Sequence, residues 1–510
     1  MRGRPEKTPK VFYLLSKGLC IAAISVASLT FGFSLAGDEA RAESLQDALA
    51  AAYLYNPTLK AARAQLRATD EDVARAKSGY RPIIFGEASR TFRSVDSNAA
   101  LGAGDSDTDT RSYSVTLNQP IFRGFRTLNA VKGAQAAVEA GREDLRFSEQ
   151  LVLLNAVTFY VNVVRDLAVL NVRQNNLRVL DEQLRATQDR FEVGEVTRTD
   201  VAQARARESG ARSAISAARA VLQGSRATFA QIVGHMPGTV RDPGPSKYVP
   251  PTLEESLSIG EGENPQIIAA IFRERAQDHA IKQTKGELLP SIDLQASYTR
   301  NEGDLGGGGG GLGDREDVTT VTGVLTVPIY QAGEVSARIR QTIETRSILR
   351  HQIDEAREAV RANIIAAWGN YTASRAQIIS DQAQVEAANI ALSGVQEEEK
   401  VGQRTTLDVL DAQQELLNAQ VSLATSRRDL VVASYALVSE IGRLTSYAIG
   451  LPVEQYDPTQ HYREVKDKWF GWRTTLEESE SEPIVLPVEA TGRTPGQPDG
   501  DGPAYTSGWR

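Results

Sequence analysis

Two short stretches decide the fold: VGEVTRTDV at residues 193–201 and VGQRTTLDV at residues 401–409. Both begin with Val-Gly and place Asp-Val six residues after the glycine. Gly402 follows Gly194 by 208 positions, as the second aspartate follows the first. Each stretch lies deep within a run without proline, so we interpret both as tight turns at the tips of long helical hairpins.

The same offset of 208 relates other features of the two halves. The related pairs are Asn56-Pro57 and Asn264-Pro265, Pro82 and Pro290, Pro120-Ile121-Phe122 and Pro328-Ile329-Tyr330, and Gly234 and Gly442. An offset kept over this length indicates an internal duplication, so the two halves should fold alike. We place the first repeat at residues 43–250 and the second at 251–450.

Residues 1–42 have the features of an export signal. A basic start is followed by an apolar stretch over 19–35, and residues 40–42 read Ala-Arg-Ala. This is the pattern of a cleaved signal peptide, so the mature chain should begin at Glu43. Cys20, the only cysteine, lies within the apolar stretch, so we expect no disulfide and no thiolate metal site in the mature protein.

The mature chain is acidic. Without the signal it has 51 basic (57 − 6) and 62 acidic (65 − 3) side chains, a net charge of −11. Such a surface disfavours nucleic acid as a partner. No mature stretch approaches the ~20 consecutive apolar residues of a transmembrane helix. If this exported chain enters a membrane, we expect it to do so as β-strands.

Patterning with a period of two predicts strand hairpins at about 83–122 and about 291–330. In the second, Ile292, Leu294, Ala296 and Tyr298 alternate with Asp293, Gln295, Ser297 and Thr299. One face is therefore apolar and the other polar. Strands of about 8–11 residues suit a tilted crossing of a bilayer. The same pattern would also suit half-buried hairpins of a soluble domain.

Four strands are too few to close a membrane barrel. The smallest such barrels have about 8 strands, and an open edge in lipid leaves backbone groups unpaired. Several chains should therefore share one barrel with closed symmetry. Three chains would give twelve strands, whereas two would give eight and a narrower hole.

The proline-free runs after Pro120 and Pro328 predict the long helices. Apolar residues recur there every seven positions, as in coiled coils. The first series is Ala156, Val163, Leu170, Leu177, Leu184 and Phe191. A helix from Arg126 to Phe191 would be on the order of 100 Å long at ~1.5 Å per residue. Hairpins of that length, with tips at about 191–201 and 399–411, belong to a rod or a duct.

Residues 451–510 have a different composition, rich in proline, glycine and acidic residues. We expect this tail to be largely disordered. Trp469, Phe470 and Trp472 could anchor its first part against the helices.

These features together resemble the TolC family of outer-membrane efflux and secretion ducts. The resemblance rests on the duplication, the strand and helix hairpins, and the motif Val-Gly-x-x-Thr-x-x-Asp-Val-Leu-Asp-Ala at 401–412. It implies a mixed fold and a homotrimer: a twelve-stranded membrane β-barrel joined to a twelve-helix coiled-coil α-barrel in the periplasm. It also implies docking onto a periplasmic adaptor and an inner-membrane pump of the RND or ABC type.

The predicted function is therefore the exit duct of a tripartite efflux or type I secretion system, located in the outer membrane and opened at its periplasmic tip. The tip turns, Val193 and Gly194 with Val401 and Gly402, would dock the adaptor or pump. A periplasmic coiled-coil scaffold without a pore is the alternative. We expect no enzyme activity, catalytic residue, cofactor or metal, because the four histidines are scattered singly and no nucleophile motif is present.

The gate residues follow from the tip motif and the resemblance. Asp408 and Asp411 lie at i and i+3, so both carboxylates share a helix face. In a trimer they would form an acidic constriction ring that attracts cations. The resemblance implies that Arg404 bonds Thr199 and Asp200.

One position departs from the family pattern. Glu399 stands where a tyrosine is expected, and a carboxylate there would repel Asp200. The gate would then depend on Arg404 alone or with Arg198.

Overall fold

The structure, a computed structural model, describes residues 43–95, 106–303 and 314–472. The predicted signal peptide at 1–42 and the last residues, 473–510, lie outside this part. So do the central residues of the two strand-hairpin loops.

The first repeat contains four helices and two strands. Their bounds are α1 Leu45–Tyr55, α2 Pro57–Lys77, β1 Ile83–Val95, β2 Ser106–Arg123, α3 Arg126–Glu192 and α4 Arg198–Val233. A single 3-10 turn, Ser78–Tyr80, connects α2 to the sheet.

The second repeat has the same elements in the same order. Their bounds are α5 Leu253–Glu263, α6 Pro265–Lys285, β3 Ser291–Gly303, β4 Asp314–Thr326, α7 Glu334–Lys400 and α8 Thr406–Glu440. The long helices α3 and α7 both have 67 residues and both begin and end 208 positions apart. The predicted duplication therefore extends to the element boundaries.

Equivalent asparagines show how the duplication works locally. Asn56 caps α2 by accepting from the backbone N–H of Thr58, and its amide donates to the carbonyl of Ile232 at 3.0 Å. Asn264 caps α6 and donates in the same way to the carbonyl of Glu440 at 2.8 Å. Each asparagine thus caps the start of one helix and bonds the end of another. The proline that follows each asparagine is well tolerated at the first helical position.

The four strands form one antiparallel sheet in the order β1-β2-β3-β4. Directly opposed residues share a face, so Leu117 of β2, Ala296 of β3 and Val321 of β4 form an apolar row. The adjacent row, Thr116, Ser297 and Thr320, is polar and faces the other way. The alternation seen in the sequence therefore gives two-faced strands, longer than expected at 13 residues or more.

Both outer strands of the sheet are open edges. Within the described residues, β1 pairs only with β2 and β4 pairs only with β3. The central pair, β2 with β3, joins the two repeats. An open edge leaves a row of backbone donors and acceptors without partners, so in a bilayer each edge needs another strand.

The largest apolar core lies where α1, α4 and α8 pack around the middle of α3. Leu153 and Tyr160 of α3 and Phe229 of α4 are fully buried there. The Tyr160 hydroxyl donates to the carbonyl of Glu43 at 2.7 Å. One stretch of α3 is long and apolar enough to cross a bilayer. The buried residues of this stretch, 44% of it, pack into this core.

Two glycines allow a close approach between the repeats just beyond the sheet. A Cβ on Gly286 would lie 2.3 Å from the carbonyl oxygen of Gly124, and the reverse contact is equally short. Gly124 also has a φ of +58°. Only glycine fits both positions, because any side chain would push the two backbones apart.

A buried carboxylate joins α3 to the chain after α8. Glu149 accepts from the backbone N–H of Ser446 at 2.6 Å. Burial is the main effect on this group and raises the pKa of the Glu149 carboxyl above its ordinary 4.5.

The C-terminal residues 451–472, the first part of the predicted tail, are folded against the rest of the chain, and the remainder of the tail lies outside the described residues. They include a short helix, α9, Gln460–Val465. Tyr456 donates its backbone N–H to the hydroxyl of Tyr53 at 3.0 Å. The side chains of Trp469, Phe470 and Trp472, which the sequence suggested as anchors of this part against the helices, are instead exposed.

Candidate functional site

The site predicted at the hairpin tips is built from two similar turns. At the first, Gly194 has a φ of +83°, and Glu195 N–H bonds the carbonyl of Arg190 at 2.9 Å. At the second, Gly402 has a φ of +76°, and Gln403 N–H bonds the carbonyl of Glu398 at 2.9 Å. This is the Schellman ending of a helix, in which glycine supplies the left-handed residue.

A capping box opens the return helix at each tip. The Asp200 carboxylate accepts from the backbone N–H and hydroxyl of Thr197, both at 2.8 Å. Asp408 does the same with Thr405, both at 2.9 Å. These bonds, with the charge of nearby Arg404, lower the pKa of the Asp408 carboxyl, so it stays ionised at neutral pH.

Arg404 bonds its own hairpin in the single chain. Its Nε donates to Oε2 of Glu398 at 2.8 Å, and both side chains are about half exposed. Asp200 is occupied by its capping box, and Thr199 is exposed. The structure therefore does not bring Arg404 onto Thr199 or Asp200 within one chain.

Glu399 connects the two hairpins. Its Oε1 lies 3.0 Å from Nη1 of Arg190, near the end of α3, and accepts from the hydroxyl of Thr406 at 3.2 Å. The Glu399 side chain is only 9% exposed. The expectation that Glu399 repels Asp200 missed this arrangement, because Arg190 compensates the carboxylate.

A second ion pair joins the hairpins further from the tip. Nη2 of Arg207 on α4 lies 2.7 Å from Oδ1 of Asp411 on α8. Asp411 therefore has a cationic partner, whereas Asp408 accepts from neutral donors and faces only the nearby Arg404. Of the two predicted ring carboxylates, only Asp411 is in an ion pair within the part of the chain that the structure describes.

Sequence reasoning missed Arg190 and Arg207. The repeat offset does not predict their partners. The counterparts of positions 190 and 207 are Glu398 and Glu415, whereas the observed partners are Glu399 and Asp411.

No group of three or more His, Cys, Asp or Glu side chains in 43–95, 106–303 and 314–472 is arranged to hold a metal ion. The tips instead combine exposed turns with ion pairs that contacts to another protein could replace. An amphipathic sheet with open edges, continued by two helical hairpins that each contain one 67-residue helix, is the architecture expected of one subunit of a membrane channel extended by helices.

The chain belongs to the family described as Outer membrane efflux protein, which it matches over residues 48–235 and 259–443. It is 40% identical over 455 residues to the outer membrane efflux protein BepC of Brucella suis, covering 89% of this chain and 97% of BepC. It is 28% identical over 444 residues to the outer membrane protein TolC of Escherichia coli, covering 82% and 86% of the two chains.

A solved structure has the same fold. The Campylobacter jejuni CmeC outer membrane channel matches with a TM-score of 0.70 at 17% identity, covering 83% of this chain and 89% of that one. The chain is thus an outer-membrane channel of the TolC type that extends into the periplasm, and a transport protein rather than an enzyme. The alternative of a scaffold without a pore is wrong.

Proposed function

We propose that three copies of this chain form the exit duct of a tripartite efflux or type I secretion system. The observation that carries the proposal is the open sheet. Its edges β1 and β4 are both 13 residues long, and pairing β4 of one chain with β1 of the next would satisfy both. Three sheets of four strands then give a closed barrel of twelve, and the hairpins continue it as a helical tube.

The tips are suited to docking a periplasmic adaptor or an inner-membrane pump. Val193 and Val401 are 72% and 70% exposed, next to Gly194 and Gly402. Apolar side chains so fully exposed at the end of a soluble helical tube favour contact with another protein. A partner that covers both turns would bind next to the ion pairs that join the hairpins and could disrupt them.

The closed gate would combine contacts within and between chains. Within a chain, the Arg190–Glu399 and Arg207–Asp411 pairs hold the hairpins together. Arg404, which is half exposed, would contact Thr199 and Asp200 of the adjacent chain. Each contact is weak, so a docking partner can replace all of them, which is what a reversible gate requires.

The acidic ring would lie just inside this gate. Three copies of Asp408 and Asp411 at the narrow end would repel one another and attract cations. Because the carboxylates interact, their titration would be coupled. The ring would therefore pass or retain solutes according to charge.

Two experiments test the proposal. Extraction of the mature chain only by detergent, as a trimer that dissociates on heating, would support the shared barrel, whereas a monomer soluble without detergent would contradict it. In planar bilayers, Arg404→Ser should raise single-channel conductance. Lys400→Ser is the control, because Lys400 pairs with Glu397 on its own helix at 2.7 Å. Equal conductance in both variants would refute the role of Arg404.

A further inference from the structure

The folded C-terminal segment, residues 457–472, is fixed to α2 by a buried pair. Nδ1 of His461 lies 3.2 Å from Oδ2 of Asp70, and the two side chains are 4% and 1% exposed. Burial, the main effect, raises the pKa of the Asp70 carboxyl, and the His461 partner opposes the shift. A histidine that looked incidental in the sequence therefore anchors this segment.

From this pair the segment follows α2 toward the sheet. Nζ of Lys77 lies 2.6 Å from Oδ1 of Asp467, and Nη1 of Arg81 donates to the carbonyl of Lys468 at 2.7 Å. The contacts thus advance from Asp70 on α2 to Arg81, just beyond the 3-10 turn that follows α2, as the segment advances from 461 to 468. Arg81, the last of these contacts, lies two residues before β1 begins at Ile83.

Three aromatic side chains lie at this end. Trp469, Phe470 and Trp472 are 59%, 87% and 92% exposed. The guanidinium of Arg81 lies 4.7 Å from the Trp469 ring centroid, which fixes this ring close to the start of the strand. Exposing large aromatic rings to water is unfavourable in free energy, because each ring leaves much of its apolar area in contact with water.

The surroundings indicate what covers them. Tyr80 and Phe85, which flank the start of β1, are also exposed, at 52% and 51%. This is the level at which the amphipathic strands give way to helices, and hence the membrane–water boundary of the channel. Trp and Tyr are enriched at that boundary because their rings are amphipathic. Lys466 and Lys468 precede the rings in the sequence, and positive charge in this segment suits anionic lipid phosphates.

We propose that residues 466–472 form a membrane anchor that inserts Trp469, Phe470 and Trp472 into the headgroup region of the periplasmic leaflet of the outer membrane. The partner is phospholipid, not a protein. The buried His461–Asp70 pair and the Lys77–Asp467 pair hold the segment along α2, so the anchor fixes the helical tube to the bilayer from outside the barrel.

Tryptophan fluorescence tests this anchor directly, because the chain has only Trp368, Trp469, Trp472 and Trp509. The full-length trimer would be reconstituted into vesicles of phosphatidylethanolamine and phosphatidylglycerol, with and without lipids brominated near the headgroup end of the acyl chain. Bromine quenches only tryptophans that contact lipid. The variant Trp469→Phe with Trp472→Phe keeps aromatic rings at both positions, and Trp368→Phe, which removes a ring packed on Tyr371 of α7, is the matched control.

We expect the brominated lipid to quench the wild type and the Trp368→Phe control, and most of this quenching to be lost in the double variant. Equal quenching in the wild type and the double variant would overturn the proposal. So would a blue-shifted contribution of Trp469 and Trp472 that brominated lipid leaves unquenched, because the rings would then pack on a neighbouring chain. A heat-sensitive trimer band on gels verifies that each variant is assembled.

Discussion

The Arg190–Glu399 pair gives the sharpest test of the gate. Glu399→Gln removes the carboxylate charge but keeps an oxygen that can accept from Thr406. The burial of this ion pair is intermediate, since the Glu399 side chain is 9% exposed and that of Arg190 is 37% exposed. The variant should therefore favour the open state.

The magnitude follows from the geometry and the symmetry. Exposed pairs contribute about 0–1 kcal/mol, and breaking a buried pair costs about 3–5 kcal/mol. We assign ~1 kcal/mol to this half-shielded pair, so three copies per trimer stabilise the closed gate by ~3 kcal/mol. Since 1.4 kcal/mol is a factor of ten, the ratio of closed to open channels should fall by about 100-fold.

Single-channel recording of purified trimers in planar bilayers measures this ratio as the fraction of time spent open. Glu397→Gln is the matched control: it makes the same charge change two residues away, but Glu397 pairs with Lys400 on its own helix. Exchanging the charges, with Arg190→Glu and Glu399→Arg together, should restore closure. Equal open times for Glu399→Gln and Glu397→Gln would refute the assignment of this pair to the gate.

Other predictions follow from the same contacts. Asp408→Asn should weaken block of the channel by divalent cations more than Asp411→Asn, because the Asp411 carboxylate is already paired with Arg207. Titrating the block with divalent cations in planar bilayers measures this difference, and equal effects of the two variants would contradict it. Gly286→Ala should destabilise the trimer by about 1–3 kcal/mol through its clash with a facing carbonyl, whereas Gly224→Ala, which meets open space within α4, should be neutral or stabilising by up to about 1 kcal/mol; thermal unfolding compares the two. Burial raises the pKa of Glu149 in the folded state above 4.5, its ordinary value. The contribution of Glu149 to the free energy of unfolding therefore falls as the pH rises from 4.5 through the folded-state pKa. Glu149→Gln should therefore raise the free energy of unfolding at neutral pH and remove its dependence on pH in this range, as measured by urea titrations at several pH values. An unchanged pH profile would argue against the raised pKa.

The sequence alone determined the repeat and its elements. The predicted long helix from Arg126 to Phe191 differs by one residue from α3, and both tip turns lie where the glycines predicted them. Asn56 and Asn264, which the repeat offset relates, both cap helices. These features follow from signals that act over a few residues, namely proline exclusion, glycine with positive φ, side-chain capping and apolar periodicity.

The contacts between distant segments were decided by the tertiary structure. Arg190 meets Glu399, and His461 meets Asp70, across more than 200 and almost 400 positions of sequence. Which charge pairs with which depends on the rotation of one packed helix against another, and no local pattern specifies that angle. The sequence therefore predicted a gate at the tips and a largely disordered tail, whereas packing alone selected the ion pairs and placed three aromatic rings near the start of the sheet.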